Sequence, residues 1–256
     1  RCGGVRLIGR AAELSHLREC LATRRHTLVI GPVGIGKSAL LRAAIKGRKR
    51  LLMLPRLWPL KGALLSMARQ LQTQGRLELP DLDSQYLDWP ELKPKLTGFS
   101  TEELLERLAP LLNDIVLLID DFDGVTPPLA RPLEPLFGRC VMLGAITTVD
   151  MNPELQPFFW HFQWLVLQPL TREAARELLW TQADPGRVAD QSVFEQHVLD
   201  VACGNPLAIR ELARQAQRVL LRTPEQIRQL HYEAGIHYVD LTPVLLLIGA
   251  GAVVMR

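Results

Sequence analysis

Gly31-Pro32-Val33-Gly34-Ile35-Gly36-Lys37-Ser38 lies between an apolar, β-prone run, Thr27-Leu28-Val29-Ile30, and a helix-forming run, Ala39-Leu40-Leu41-Arg42-Ala43-Ala44-Ile45. The octet fits G-x-x-x-x-G-K-[ST] at every fixed position, and strand, loop, helix is the context in which that pattern binds phosphates. Its glycines let the backbone curl so that successive N–H groups point inward at phosphate oxygens. Lys37 supplies a cation for the β- and γ-phosphates, and Ser38 supplies a hydroxyl for Mg²⁺. The helix that starts at about Ala39 turns its positive end toward the same anion. Residues 31–39 are therefore the candidate triphosphate-binding residues.

Outward from this loop, the bulk composition is globular, with 48% hydrophobic and 22% charged residues over 256 positions. That length holds one large domain or two smaller ones. A net charge of +3 does not by itself point to nucleic acid. Cys2, Cys20, Cys140 and Cys203 are scattered, with neither zinc spacing nor a disulfide framework, which suits a reduced, cytoplasmic compartment. The opening Arg1-Cys2 lacks a methionine and has no secretory pattern, so the chain is expected to be a fragment.

Strands and helices alternate along the first two thirds. Leu14, Leu17 and Leu21 mark one face of a helix over 11–22. Leu51–Leu54 reads as a strand and 60–71 as a helix. Residues 74–98, rich in Pro, Asp and Gly, read as a long loop or insertion. Ser100-Thr101-Glu102-Glu103 is a capping box that opens another helix. Ile115–Ile119 is apolar on both faces, as in the middle of a parallel sheet covered by helices. Strands over 141–146 and 163–168 follow. After Pro169 only helical patterns remain, over 171–234, with Thr171 and Thr223 as N-caps. Trp160 and Trp164 are expected as core or hinge aromatics.

Asp120-Asp121 ends the apolar strand at Ile119, where ligands bind in open α/β sheets. Asp120 is placed to hold Mg²⁺ opposite Ser38, and Asp121 to orient or activate the attacking water. Thr147 or Thr148 ends the next strand, within reach of the γ-phosphate or that water.

These motifs together resemble the AAA+ and STAND classes of P-loop ATPases. Leu7-Ile8-Gly9-Arg10-Ala11-Ala12-Glu13-Leu14 is similar to their N-terminal segment, which implies that Ile8, Gly9 and Arg10 line an adenine pocket. Asp120 and Asp121 fall at the family's acidic pair, and Thr147 at its sensor-1 position. Gln168–Ala174 resembles the junction to a helical lid. Gly204-Asn205-Pro206-Leu207-Ala208-Ile209 resembles the lid motif that sets a proline, here Pro206, near the nucleotide. The resemblance implies an α/β fold, a parallel-sheet P-loop NTPase core over 1–169 with a small all-α lid over 170–235. The mostly apolar sequence beyond it reads as a C-terminal apolar helix over 236–256, a candidate start of a membrane anchor. The resemblance also implies ATP or ADP with Mg²⁺ as ligands, and a homo-oligomer or protein partner. Its function would be a regulatory ATPase that couples binding and slow hydrolysis to lid movement and assembly. A non-hydrolysing nucleotide-bound scaffold and a DNA-dependent ATPase are the alternatives.

Three departures from the family pattern point to slow or partner-stimulated hydrolysis. Asp121 replaces the usual, longer glutamate. Phe158-Phe159-Trp160-His161-Phe162 stands where an arginine finger is usual, with Arg139 the nearest upstream arginine. Leu207 replaces the lid arginine, with Arg210 one turn on. Two further stretches carry open readings. Leu241–Met255 has no charge and fits a truncated membrane span, a buried helix or a partner-binding helix. Lys46, Arg48, Lys49 and Arg50 read as a solvated basic turn, or as a contact for DNA phosphates or an anionic membrane surface.

Overall fold

The computed structural model describes residues 7–82, 84–149, 152–218, 221 and 223–232. Helix α1 (Ala11–Ala22) leads into β1 (His26–Ile30), the phosphate loop and α2 (Lys37–Ile45). Next come β2 (Leu51–Leu54), α3 (Leu60–Thr73), α4 (Trp89–Gly98), α5 (Thr101–Leu108) and β3 (Val116–Ile119). The core ends with α6 (Pro127–Leu133), β4 (Val141–Ile146), α7 (Gln156–Phe159) and β5 (Phe162–Val166). Four more helices follow: α8 (Arg172–Gln182), α9 (Gln191–Ala202), α10 (Pro206–Arg218) and α11 (Pro224–Arg228).

The strands form one parallel sheet in the order β2-β3-β4-β1-β5. Leu28 pairs with Gly144 and Trp164, and Leu118 pairs with Leu143. Strand alternation sorts the apolar side chains onto two faces. Val29, Val116, Leu118, Val141, Leu143 and Ala145 pack with Leu17, Leu40 and Leu41 of α1 and α2. Leu28, Leu117, Ile119, Met142 and Ile146 pack with Leu64, Met67, Leu104 and Leu108 of α3 and α5. Both faces are covered, which is why β3 and β4 are apolar at every position. The later helices bury their own cluster, built on Leu179, Phe194, Val198, Ile209 and Leu212, with Ile8 and Leu170 joined to it.

Gly144 is where the sheet meets Phe122 most closely. A Cβ there would sit 2.6 Å from both the Leu28 Cδ2 and the Phe122 ring. Gly144→Ala should therefore lower stability by about 1–3 kcal/mol through overpacking. The thermal midpoint should drop by roughly 2–4 °C for each kcal/mol lost. An unchanged midpoint in a melting curve would show that Phe122 has room to move.

Two expectations fail here. Residues 74–98 are not a long loop: they hold a 3₁₀ turn at Pro80–Leu82 and the helix α4. Pro90 falls in the first turn, where an N–H is unpaired anyway. Pro94 costs α4 one hydrogen bond, but Leu92 and Leu96, one turn apart, are fully buried and hold it. Trp160 and Trp164 are not core aromatics; they are 76% and 47% exposed. β5 is an edge strand, and Trp164, on the same face as Phe162, stays half exposed where Phe162 is buried against the Phe122, Phe137 and Phe158 rings. The apolar run Leu241–Met255, with the helix expected there, lies outside the described residues. Among the described residues no helix is long and apolar enough to cross a membrane.

Candidate nucleotide-binding site

The phosphate loop leaves the end of β1 and enters α2 at Lys37. Gly34 (φ 84°) and Gly36 (φ 104°) take left-handed conformations that a side chain would resist. At Gly34 the space is closed as well, since a Cβ would lie 2.7 Å from Asn205 Oδ1 and from Leu207 Cβ. Lys37 Nζ donates to the carbonyls of Gly31 (2.5 Å) and Pro32 (3.2 Å) inside the loop. Burial pulls the Lys37 pKa below its ordinary value, while the carboxylates of Asp123, Asp121 and Asp120 act to raise it.

A cavity of about 490 Å³ opens on this loop. It is lined by Gly34, Gly36, Lys37, Ser38, Asp120, Asp121, Asp123 and Thr147. Ile8, Leu170 and Leu178, which belong to one apolar cluster, line it as well, and Leu7, Arg10, Val33, Ile35, Ala39, Pro206, Leu207 and Arg210 also border it. The volume is that of an ordinary small-ligand site. An anion-binding loop together with an apolar cluster suits a molecule with phosphates at one end and a flat base at the other. Gly9, Gly31 and Pro32 do not line the space. Gly31 and Pro32 act through the carbonyls that hold Lys37. Gly9 (φ 66°) lets its segment pass against α8, where a Cβ would sit 2.6 Å from Ala174 Cβ.

The acids divide sharply by partner. Asp120 Oδ2 accepts from Arg42 at 3.0 Å, whereas its buried Oδ1 accepts no hydrogen bond among the described residues. An unpaired carboxylate oxygen on a residue that lines the same cavity as a serine hydroxyl supplies the oxygen donors that Mg²⁺ takes. The residues present therefore fit the metal. Asp121 Oδ1 accepts from the Asp123 N–H at 3.0 Å. Asp123 in turn accepts two hydrogen bonds from Thr147: the N–H at 2.8 Å and the hydroxyl at 2.7 Å. Having donated its proton to Asp123, the Thr147 hydroxyl is left as an acceptor.

Asp123 is the residue that sequence reasoning missed. The third acid of Asp120-Asp121-Phe122-Asp123 was the available signal. Arg10, expected at the adenine pocket, does border the cavity, and what was not foreseen is the bridge its side chain makes. The side chain is 5% exposed and crosses from the N-terminal segment to the loop. Nη2 donates to the carbonyls of Gln168 (2.6 Å) and Ile35 (3.3 Å), and Nη1 donates to Glu13 (2.8 Å). Arg139, by contrast, sits before the N-terminal end of β4, at the opposite end of the sheet from this cavity.

The later helices close over the loop through two hydrogen bonds. Asn205 Nδ2 donates to the Val33 carbonyl at 3.0 Å, and the Leu207 N–H donates to the Gly34 carbonyl at 3.2 Å. Leu170, at the junction, donates its N–H to the Gly204 carbonyl at 2.9 Å. A parallel sheet, a glycine loop from β1 into α2, and an acid at the end of β3 are now all in place. The core has the fold of a P-loop NTPase. No known family's sequence profile matches the chain, and no curated protein matches it. Among solved structures it is similar to a signal-transduction ATPase with numerous domains (STAND) that carries a tetratricopeptide repeat sensor, from Pyrococcus horikoshii. Sequence identity is 18% and the TM-score 0.49; the match covers 80% of this chain and 29% of that protein, so this chain spans less than a third of its length.

Proposed function

We propose that this chain is a Mg²⁺-ATP-binding regulatory ATPase, with a core over 1–169 and a helical lid over 170–235 that opens and closes on the nucleotide. The observation that carries the reading is Asp120, whose Oδ1 is buried without a partner among the described residues, lining the same cavity as Lys37 and Ser38. Ser38 and Asp120 hold the metal, which supplies positive charge to the phosphate oxygens when bound. Residues 33–39 and Lys37 hold the phosphates, with Gly31 and Pro32 positioning the lysine. Ile8, Leu170 and Leu178 provide the apolar wall for adenine; Gly9 and Arg10 position that segment. Asp121 orients the attacking water. Thr147, held by Asp123, accepts a hydrogen bond from that water rather than donating one to the γ-phosphate. The lid contacts at Asn205, Pro206 and Leu207 link the nucleotide state to the lid angle, and through it to assembly with a second copy or a protein partner.

A second reading, a scaffold that holds nucleotide without turnover, is favoured by the same lid contacts, since they close the loop from outside. Phosphate release by the purified chain in the presence of Mg²⁺-ATP separates the two. Turnover supports the enzyme, and bound nucleotide without product supports the scaffold.

The lid contact gives its own prediction. Asn205→Ala removes the hydrogen bond to Val33 and the cap on the α10 N-terminus at Leu207 (2.9 Å). Losing bonds of this kind costs about 1 kcal/mol each, so nucleotide dissociation should quicken several-fold. An unchanged dissociation rate in a stopped-flow chase would separate the lid from nucleotide retention.

A further inference from the structure

At the end of the sheet away from the nucleotide cavity, the loops that enter the strands carry a row of cations. Arg24 and Arg25 precede β1, Lys46, Arg48, Lys49 and Arg50 precede β2, and Arg139 precedes β4. All are exposed except Arg139, which is half-buried. The strand order sets these ends side by side, β2-β3-β4-β1. At about 4.8 Å between strands the row is about 14 Å long. In residues 23–25, 46–50, 113–115 and 137–140 the one carboxylate is Asp114, which pairs with Arg24 and, at 3.6 Å, with Arg50. The other cations repel one another along the row, and a polyanion laid across it relieves that repulsion.

The row ends at an exposed indole. Trp160 precedes β5, whose Phe162 pairs with His26, the residue after Arg25. His161, between them, stacks on Phe137 at 4.2 Å and fixes the turn. A line of guanidinium and ammonium groups ending in a free aromatic face matches a nucleic-acid strand, whose phosphates follow the cations while a base stacks on the ring. A lipid surface fits less well. Adsorption needs several apolar groups to insert beside the charges, and apart from Trp160 at one end the loops between these cations offer Thr23, Gly47, Asn113 and Gly138.

We infer that this end of the sheet is a docking surface for single-stranded nucleic acid, held through its phosphates without base selection. The inference stands apart from the nucleotide site, which lies across the sheet. Fluorescence anisotropy of a labelled 20-nucleotide oligothymidylate, titrated with the full chain, tests it. Binding is expected at 50 mM salt and to weaken about 100-fold at 200 mM, the loss for about five phosphates neutralised on a single strand. Arg48→Glu combined with Lys49→Glu should weaken binding at least tenfold at 50 mM salt, because both side chains lie in an exposed turn. Trp160→Ala, on a separate loop, should weaken it about tenfold through lost stacking. Both variants should keep the parent's melting midpoint. No binding at 50 mM salt overturns the inference. So does parent-like affinity in the charge-reversed chain or, if that chain does not fold, in Trp160→Ala. Binding to phosphatidylserine vesicles in preference to the oligonucleotide assigns the row to lipid and also overturns it.

Discussion

Lys37→Ala is expected to abolish tight ATP binding, with the affinity falling by about 30-fold or more in a calorimetric titration. The side chain is half-buried and its amine lies within the loop, bound to the Gly31 and Pro32 carbonyls. Those bonds keep a cation inside the cavity before any ligand arrives. Burial pulls its pKa down, and three nearby carboxylates push back. A triphosphate adds negative charge at the same place and favours the charged amine further. Removing the amine leaves desolvated phosphates with backbone N–H groups alone, and truncating one partner of a buried charge pair typically costs about 2–5 kcal/mol. At 1.4 kcal/mol per tenfold, that is roughly 30-fold to several thousandfold. The substitution removes no apolar packing, so the melting midpoint without nucleotide should hardly move. ATP affinity equal to the parent's would sink the phosphate-loop assignment itself.

What could be read from the chain and what could not differ by the range of the interaction. The strand-to-helix loop from Gly31 to Ser38, the capping boxes at Ser100 and Thr223, and the doubly apolar β3 are local patterns, and the structure has each of these elements at those positions. α4 was misread because Pro90 and Pro94 carry the local signature of a loop. Burial of Leu92 and Leu96 overrides it. The core reading of Trp160 and Trp164 fails because hydrophobicity does not say which strand lies at the edge, which leaves the hinge reading. Asp123 and the bridge made by Arg10 were missed for the same reason at longer range. Asp123 acts on Thr147, 24 residues on, and Arg10 reaches Gln168, 158 residues on. Neither partner can be named until the sheet order is known.

The pair Asp120→Asn and Asp121→Asn should separate binding from turnover. Asp120 presents a buried Oδ1 with no hydrogen-bond partner and an Oδ2 held by Arg42. The amide of Asn would remove the charge that a divalent ion needs and would offer an N–H where the metal's hydration shell must donate. Mg²⁺-dependent affinity should fall by tenfold or more, while binding in chelator should change little. Asp121 is fixed by the Asp123 N–H through Oδ1, which leaves Oδ2 to act on water. Asn at that position preserves the size and the Oδ1 contact but cannot take up a proton, so general-base help worth about 10²–10⁴ in rate is lost. Nucleotide affinity should stay within a factor of about two while phosphate release becomes undetectable. Asp123 supplies the internal control. Its carboxylate is taken up by the two Thr147 bonds, so Asp123→Asn should slow turnover through Thr147 without altering Mg²⁺ dependence. Equal loss of affinity in the Asp120 and Asp121 variants would mean that both acids face the metal, and the division between metal holder and water holder would have to be abandoned.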